Sequence, residues 1–182
     1  RGVCRDVTQD RARERALAGA RDRERLLGKI VDAMRNDLVS SAMLRTAAEA
    51  TAWSVDASHA WVLRTEVGGE FTAAAQVKTT PGKDEAEPAG AFEAVAGPLA
   101  ALDGKFAGPD EAIVAHCDGV ELLALPTRYR GAVNGAICVA RAERAGPFSA
   151  EAQALVRGVA AHLGIGLEQM RNQETLERLS RT

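Results

Sequence analysis

Residues 122–168 decide the fold and read LLALPTRYRGAVNGAICVARAERAGPFSAEAQALVRGVAAHLGIGLE. Two apolar stretches flank a polar turn at 129–131, which predicts a pair of antiparallel strands. Their apolar residues follow one another instead of alternating, so helices or a ligand must cover both faces of the sheet. Ser149 is a suitable N-cap, and the residues after it predict a helix of about eight turns.

The chain before this passage predicts a second hairpin and a short helix. HAWVLRTE and EFTAAAQVK read as strands joined by Gly68-Gly69. Residues 79–90 are rich in Pro, Gly and charge, which predicts a loop, and the next apolar segment predicts a helix that ends at Gly104. We therefore expect an α+β fold with a central antiparallel sheet, flanking helices, and long N- and C-terminal helices.

The N-terminal region is strongly charged, with ten Lys/Arg and six Asp/Glu in residues 1–35. Alternating charge of this kind is typical of a solvated helix. A 3-4 spacing of mostly apolar positions runs along that helix and predicts either a seam between two copies or a stripe buried on the chain's own domain. The candidate dimer-seam residues are Leu17, Ala20, Leu27, Val31, Met34 and Leu38. From about Ala42 a second helix is expected, packed on the domain itself.

Composition excludes several classes of function. The chain has 182 residues, 46% hydrophobic, with a net charge of −2, so no global field attracts nucleic acid or an anionic membrane. No apolar stretch is long enough to span a bilayer, and no signal peptide is recognisable. The three cysteines lack a CxxC spacing, which favours a reducing, cytoplasmic location over a disulfide framework or a zinc site. Because the chain starts at Arg1 instead of Met, we expect a piece of a longer protein.

Catalytic machinery is not apparent in the sequence. The P-loop, the GxSxG elbow, the GxGxxG fingerprint and the HExxH motif are all missing. His116, Cys117 and Asp118 place three reactive types side by side, but a structural loop is the favoured interpretation there. Tyr129 between two arginines falls in a predicted turn, so it does not predict a nucleic-acid surface. We therefore predict neither a catalytic nor a metal-binding residue.

The strand, turn and strand of residues 122–142, followed by Gly-Pro-Phe-Ser-x-Glu and a helix containing Gly-Ile-Gly-Leu-Glu, resemble a GAF domain. The resemblance covers residues 38–170 and places the domain at 41–168. It implies a sensory, regulatory module with no catalysis of its own. It does not name a ligand, because GAF domains bind cyclic nucleotides, tetrapyrroles, haem or small metabolites, or have no known ligand.

The two ends of the chain resemble parts of neighbouring signalling domains. Residues 1–8 resemble the end of a PAS domain, and residues 9–40 a charged linker or signalling helix. Residues 169–182 are similar to the linker helix that enters a GGDEF diguanylate cyclase domain, although a linker into a two-component histidine kinase looks similar. The resemblance thus implies a PAS–GAF–GGDEF protein that signals through cyclic di-GMP.

Ligand signatures of the family are incomplete here. Where cyclic-nucleotide-binding members carry Asn-Lys and an acidic pair, this chain has Ala140-Arg141 and Ala152-Gln153. Bilin-binding members carry a Cys usually followed by His, and here the order is reversed at 116–117. Cys138 is expected to be a small buried hydrophobe on a strand. The cofactor is therefore left unknown.

Strand position and side-chain size give a set of pocket candidates on the sheet face away from the terminal helices. They are Trp61, Phe71, Phe92, Phe106, His116, Cys117, Leu123 and Leu125. Ordinary core packing is the alternative for each residue. For the whole chain, the alternatives to a ligand-binding homodimeric sensor are a ligand-free dimerisation or spacer module and, least favoured, an enzyme of the methionine-sulfoxide reductase type. We expect no contact with nucleic acid or membrane.

Overall fold

The computed structural model describes residues 7–36, 40–79, 90–101 and 112–181. Their helices and strands, in chain order, are α1 (Val7–Asn36), α2 (Ser40–Ser54), β1 (His59–Thr65), β2 (Phe71–Lys78), α3 (Ala91–Ala101), β3 (Ile113–Cys117), β4 (Val120–Tyr129), β5 (Ala132–Ala142) and α4 (Ala150–Ser180). Within these residues the strands form one antiparallel sheet in the order β2-β1-β5-β4-β3. The predicted α+β fold class is confirmed.

Helices α1, α2 and α4 cover one face of the sheet. Their apolar side chains and those of the strands form a buried cluster, here called the helix-side core, which includes Ile30, Met34, Leu44, Val62, Leu123, Leu125, Ile137, Val139, Val156, Val159 and Leu163. Ser149 caps α4 by accepting a hydrogen bond from the backbone N–H of Ala152 at 3.1 Å, as its position in the sequence predicts.

Contacts along α4 give the directions of the other two helices. Residues 22–26 of α1 line the same cavity as residues 151–155 of α4, and Leu27 lies directly over Gly158. Met43, early in α2, lies against Gly166, whereas Ser54 at the end of α2 lies near residues 151–155. Helices α1 and α4 therefore run in the same direction, and α2 runs in the opposite one.

Glycines let α4 approach the sheet at its closest point. A Cβ on Gly164 would overlap the backbone carbonyl of Arg128 on β4. The same contact is fixed by a buried polar network, in which Asn134 donates to the Gly164 carbonyl at 2.7 Å and accepts from the Thr127 hydroxyl at 2.8 Å. The position of α4 on the β4–β5 hairpin is therefore set by backbone contact and by directional hydrogen bonds.

One prediction about the elements needs correction. Strand β3 was not anticipated, because residues 113–117 were interpreted as a loop. Asp118 and Gly119 both have positive φ (51° and 75°), and this Asp-Gly pair is the sequence signal of a tight hairpin turn that would have revealed the strand. The Gly104 stop lies outside the described residues.

The predicted seam on α1 also needs correction in part. Met34 is 5% exposed in the chain's own helix-side core, and Leu27 packs over Gly158. These side chains therefore serve the domain and are not available to a second copy. Ala20 and Val31 are half-buried, Leu17 is 55% exposed, and Leu38 lies outside the described residues. No helix in the part of the chain that the structure describes is long and apolar enough to cross a membrane.

Candidate functional site

The second face of the sheet carries its own apolar cluster beneath α3. We call it the α3-side cluster. Its buried members are Trp61, Leu63, Phe71, Ala91, Val95, Leu99, Leu122, Ala124, Ala136, Cys138 and Ala140. The sheet contributes a floor of small side chains on β5, and α3 contributes larger ones above it. Because β4 and β5 contribute side chains to apolar clusters on both faces, the predicted double coverage of these two strands is confirmed.

Four of the pocket candidates lie in or against this cluster. Trp61 and Phe71 are 8% and 9% exposed, and Phe92 and Cys117 are partly buried beside them. The ring of Trp61 stacks on His59, with ring centroids 5.7 Å apart. The sheet and α3 thus bring these candidates together.

Leu123 and Leu125 were assigned to the wrong face. Both are buried in the helix-side core, whereas their neighbours Leu122 and Ala124 face α3. Side chains on a strand alternate between faces, so a one-residue error in register moves every candidate to the other side. Leucines follow one another in this strand, and alternation of residue type could not fix the register.

His116 does not join the cluster either. It points away from the α3 side, with its side chain 57% exposed and its Nδ1 3.3 Å from Glu143 Oε1. The adjacent Cys117 lies on the cluster side, and its thiol approaches Asp118 Oδ2 at 3.7 Å. Phe106 lies outside the described residues.

The thiols of this region are poor nucleophiles. Partial burial, reinforced by the Asp118 and Glu93 carboxylates, raises the pKa of Cys117. Complete burial raises the pKa of Cys138 to about 12. Both shifts disfavour the thiolate that covalent attachment or redox chemistry requires. Among the described residues, no group of His, Cys, Asp and Glu is placed to hold a metal ion. Among the described residues, the buried members of the α3-side cluster are apolar side chains and the Cys138 thiol.

Sequence analysis did not anticipate the polar tethers between β1 and α4. Arg64 bridges Glu66 at 2.7 Å and Glu174 on α4 at 2.9 Å, and Arg171 donates to the backbone carbonyl of Thr65. The hydrogen bond that Arg64 donates to Glu174 raises the pKa of Arg64, whereas the bonds that Thr72 and then Arg64 donate to Glu66 lower the pKa of Glu66. The two pairs that reach α4 join residues 110 and 106 positions apart, so they leave no local signal in the sequence.

Comparison with known proteins agrees with this architecture. The GAF domain family model matches residues 22–167. The comparison with curated proteins returned no match.

Three similar solved structures are themselves GAF domains. One comes from a phosphoenolpyruvate-protein phosphotransferase of Acinetobacter, with a TM-score of 0.61 and 13% identity over 84% of this chain and 97% of that one. The corresponding domain of Coxiella burnetii has a TM-score of 0.60 and 16% identity, covering 86% and 98%. A GAF domain from a Pseudomonas syringae pv. tomato protein described as a sensor histidine kinase has a TM-score of 0.58 and 18% identity, covering 92% and 99%.

At these identities the solved structures show only that the fold is shared. That this chain is a member of the family rests on the family model, which matches residues 22–167. GAF domains are regulatory sensor modules. The chain belongs to the GAF domain family.

Proposed function

We propose that this chain is a regulatory sensor module that passes a signal along its terminal helices to a C-terminal output domain. The observation that carries the proposal is the arrangement of α1 and α4. The two helices run in the same direction across one face of the sheet, and residues 8–18 of α1 and most of 169–181 of α4 are exposed. One helix therefore brings a signal to the domain and the other carries it onward.

Strand β1 connects the proposed ligand face to the exit helix. Trp61 and Leu63 face the α3-side cluster, Val62 faces the helix-side core, and Arg64 bonds to Glu174 on α4. A ligand that prefers one position of β1 thereby prefers one position of α4. The ligand shifts the equilibrium between the two positions of α4 only by as much as its affinities for them differ.

The proposed relay works as a homodimer, because two parallel exit helices can change their register or crossing angle. Large apolar side chains are exposed on α4 at Ile165, Leu176 and Leu179, with exposed fractions of 50%, 67% and 68%. Together with Gln169 and Asn172 they follow the 3-4 spacing of a coiled-coil seam. We thus place the dimer seam on α4, although the sequence predicted it on α1. Leu17 is the most exposed of the described seam candidates on α1.

The proposed context is a PAS domain before this chain and a diguanylate cyclase after it, in the cytoplasm. Support comes from the similarity of residues 1–8 and 169–182 to the corresponding linkers, and from Cys117 and Cys138, which do not form a disulfide with each other. A histidine kinase output is the alternative. It is favoured by two similar structures from proteins described as sensor histidine kinases, namely the Pseudomonas GAF domain and a domain from Sinorhizobium meliloti 1021. The catalysis belongs to the output domain in either case.

A ligand-free spacer is the second candidate function, and the packing of the α3-side cluster favours it. Leu63, Leu99 and Leu122 are at most 1% exposed, and the floor consists of alanines and one cysteine. Native mass spectrometry of freshly purified protein separates the two functions. A retained small molecule supports the sensor, and a dimer of bare chains supports the spacer.

Sedimentation equilibrium tests the homodimeric relay. We expect the chain to be a dimer, a Leu176→Glu/Leu179→Glu variant to be a monomer, and the adjacent Glu177→Lys control to remain a dimer. A wild-type chain that stays monomeric at about 100 µM would contradict the relay, since a Kd weaker than this corresponds to less than about 6 kcal/mol of association free energy.

A further inference from the structure

Two side chains of opposite charge face each other across the β4–β5 hairpin. Glu121 and Arg141 are direct partners in the register of these strands, so their side chains lie on the same face, with Cβ atoms about 4.5–5.5 Å apart. That face is the helix side, because Leu123 and Val139, the partners two positions further along, lie in the helix-side core. A carboxylate and a guanidinium are therefore within reach of each other beside that core.

Both of these groups have a buried polar atom that is not hydrogen-bonded. Glu121 is 6% exposed, and its Oε2 accepts no hydrogen bond from a described residue. The buried Nε of Arg141 has no acceptor among the described residues, and neither side chain forms an ion pair with them. His116 is the other cross-strand neighbour of Glu121, but its Nδ1 lies 3.3 Å from Glu143. Buried polar groups are normally paired, so these two complementary groups call for an explanation.

The guanidinium of Arg141 is turned toward the start of α4. It donates to the Pro147 carbonyl at 2.6 Å, and its Cζ lies 4.2 Å from the centre of the Phe148 ring. Pro147 and Phe148 directly precede Ser149, the N-cap of α4, and Gln153 of the first turn donates to the Phe148 carbonyl at 3.2 Å. Arg141 thus stabilises the segment from which α4 begins.

We propose that Arg141 exchanges between two partners, the start of α4 and the Glu121 carboxylate, and that this exchange tightens and loosens the first turn of α4. A guanidinium has five N–H donors, and the bond to Pro147 uses one of them. The contacts at α4 are a bond to a neutral carbonyl and a cation–π contact, whereas Glu121 offers a buried, charge-assisted bond. Cavities of about 430 and 470 Å³ border Arg141, so close packing does not fix its guanidinium on every side.

The exchange acts on the end of α4 that lies opposite the exposed seam. When Arg141 pairs with Glu121, the Pro147 carbonyl and the Phe148 ring lose their cation, and the first turn of α4 opens more readily. The regulatory consequence rests on the proposed relay, whereas the exchange itself does not. A failed exchange test therefore leaves the dimer test untouched, and a monomeric chain removes the relay without touching the exchange.

Amide hydrogen exchange of the whole chain, followed by NMR, tests the proposal. The reporters are the amides of Ala152 and Gln153, which bond to the side chain and the carbonyl of Ser149. The reference is the amide of Val159, a fully buried residue further along the same helix. Exchange at the reporters relative to the reference measures opening of the first turn, separately from the stability of the domain.

Replacing either charged group is expected to move the reporters in opposite directions. Glu121→Gln should slow their exchange by up to about ten-fold, the factor of one charge-assisted hydrogen bond, because Arg141 then stays at the start of α4. Arg141→Gln should speed it, and adding Glu121→Gln to Arg141→Gln should change nothing further. Glu143→Gln is the control, since this carboxylate lies at the same end of the sheet, is 58% exposed and contacts His116.

A second variant covers the case in which the glutamine amide is itself left without partners. Glu121→Met places an apolar chain of similar length there and is expected to slow the reporters as Glu121→Gln does. Unchanged reporters in both variants would overturn the proposal. So would an equal change at Val159, which means that loss of a buried charge has stabilised the whole domain. An equal effect of Glu143→Gln, or an effect of Glu121→Gln that persists without Arg141, would overturn it too.

Discussion

Gly164 is the point at which α4 lies on the backbone of β4, and replacing it with alanine tests how tightly the exit helix is held. The added Cβ would overlap the Arg128 carbonyl oxygen and lie 2.8 Å from its carbon and 3.0 Å from the Arg128 nitrogen. Backbone atoms of a strand that is paired to its neighbour, as Arg128 is to Val133, cannot turn aside as the end of a side chain can. Helix α4 therefore has to move away from the hairpin.

The magnitude follows from three terms. Glycine to alanine in a helix interior is by itself stabilising by about 1 kcal/mol. Overpacking against fixed atoms costs about 1–3 kcal/mol. Movement of α4 also stretches the buried 2.7 Å hydrogen bond from Asn134 to the Gly164 carbonyl, and leaving those groups unsatisfied costs about 1–3 kcal/mol. We expect Gly164→Ala to lower the free energy of unfolding by about 1–5 kcal/mol.

Urea denaturation followed by circular dichroism measures this change, with an unchanged m-value showing that the native state is still compact. The matched control is Gly28→Ala on α1, where an added Cβ would meet nothing within 4 Å. That variant is expected to gain up to about 1 kcal/mol. If Gly164→Ala were stabilised like Gly28→Ala, the close contact between α4 and β4 would be refuted.

Three further predictions concern other parts of the chain. Asn134→Ala removes the bonds to Thr127 and Gly164 and is expected to lower the free energy of unfolding by about 1–3 kcal/mol in urea titrations; an unchanged midpoint would contradict the network. Ser149→Ala removes the N-cap bond of α4 at 3.1 Å and should lower it by about 1 kcal/mol, whereas Ser149→Asp should retain most of the stability. Burial raises the pKa of Cys138 from 9.0 to about 12, so the unfolded chain loses this proton first as the pH rises. Stability should fall above pH 9 by up to about 1.4 kcal/mol per pH unit until pH 12, and Cys138→Ala should lack this component of the slope.

Much of the fold could be predicted because its signals are local. The Gly68-Gly69 turn, the turn before Gly131 and the Ser149 cap each lie within a few residues of the structure they specify. Strand β3 was missed although Asp118-Gly119 carries the same kind of signal. The strand has five residues, and its apolar run is only the three residues Ile113, Val114 and Ala115.

The candidate site was harder to predict, because it depends on register and on distant contacts. Trp61 and Phe71 are large aromatics on strands, and their size was enough to place them in the interior. Leu123 lies in a strand whose residues are buried on both faces, so composition could not distinguish its face from that of Leu122. The tether from Arg171 to Thr65 joins an exposed helix to a strand end, and only the folded chain brings the two together.

A homotypic disulfide on α4 tests the central claim most directly, because it reports whether two exit helices lie parallel and in register. Leu176→Cys is compared with Glu177→Cys, one residue further around the helix, in a background with Cys4 and Cys117 replaced by serine. A disulfide requires Cα atoms about 4.4–6.8 Å apart, and two copies of a seam position reach this separation in a parallel, in-register dimer. Rapid cross-linking at 176 and little at 177 under mild oxidation is the predicted result. Equal cross-linking at both positions, or none at 176, would contradict the proposed relay.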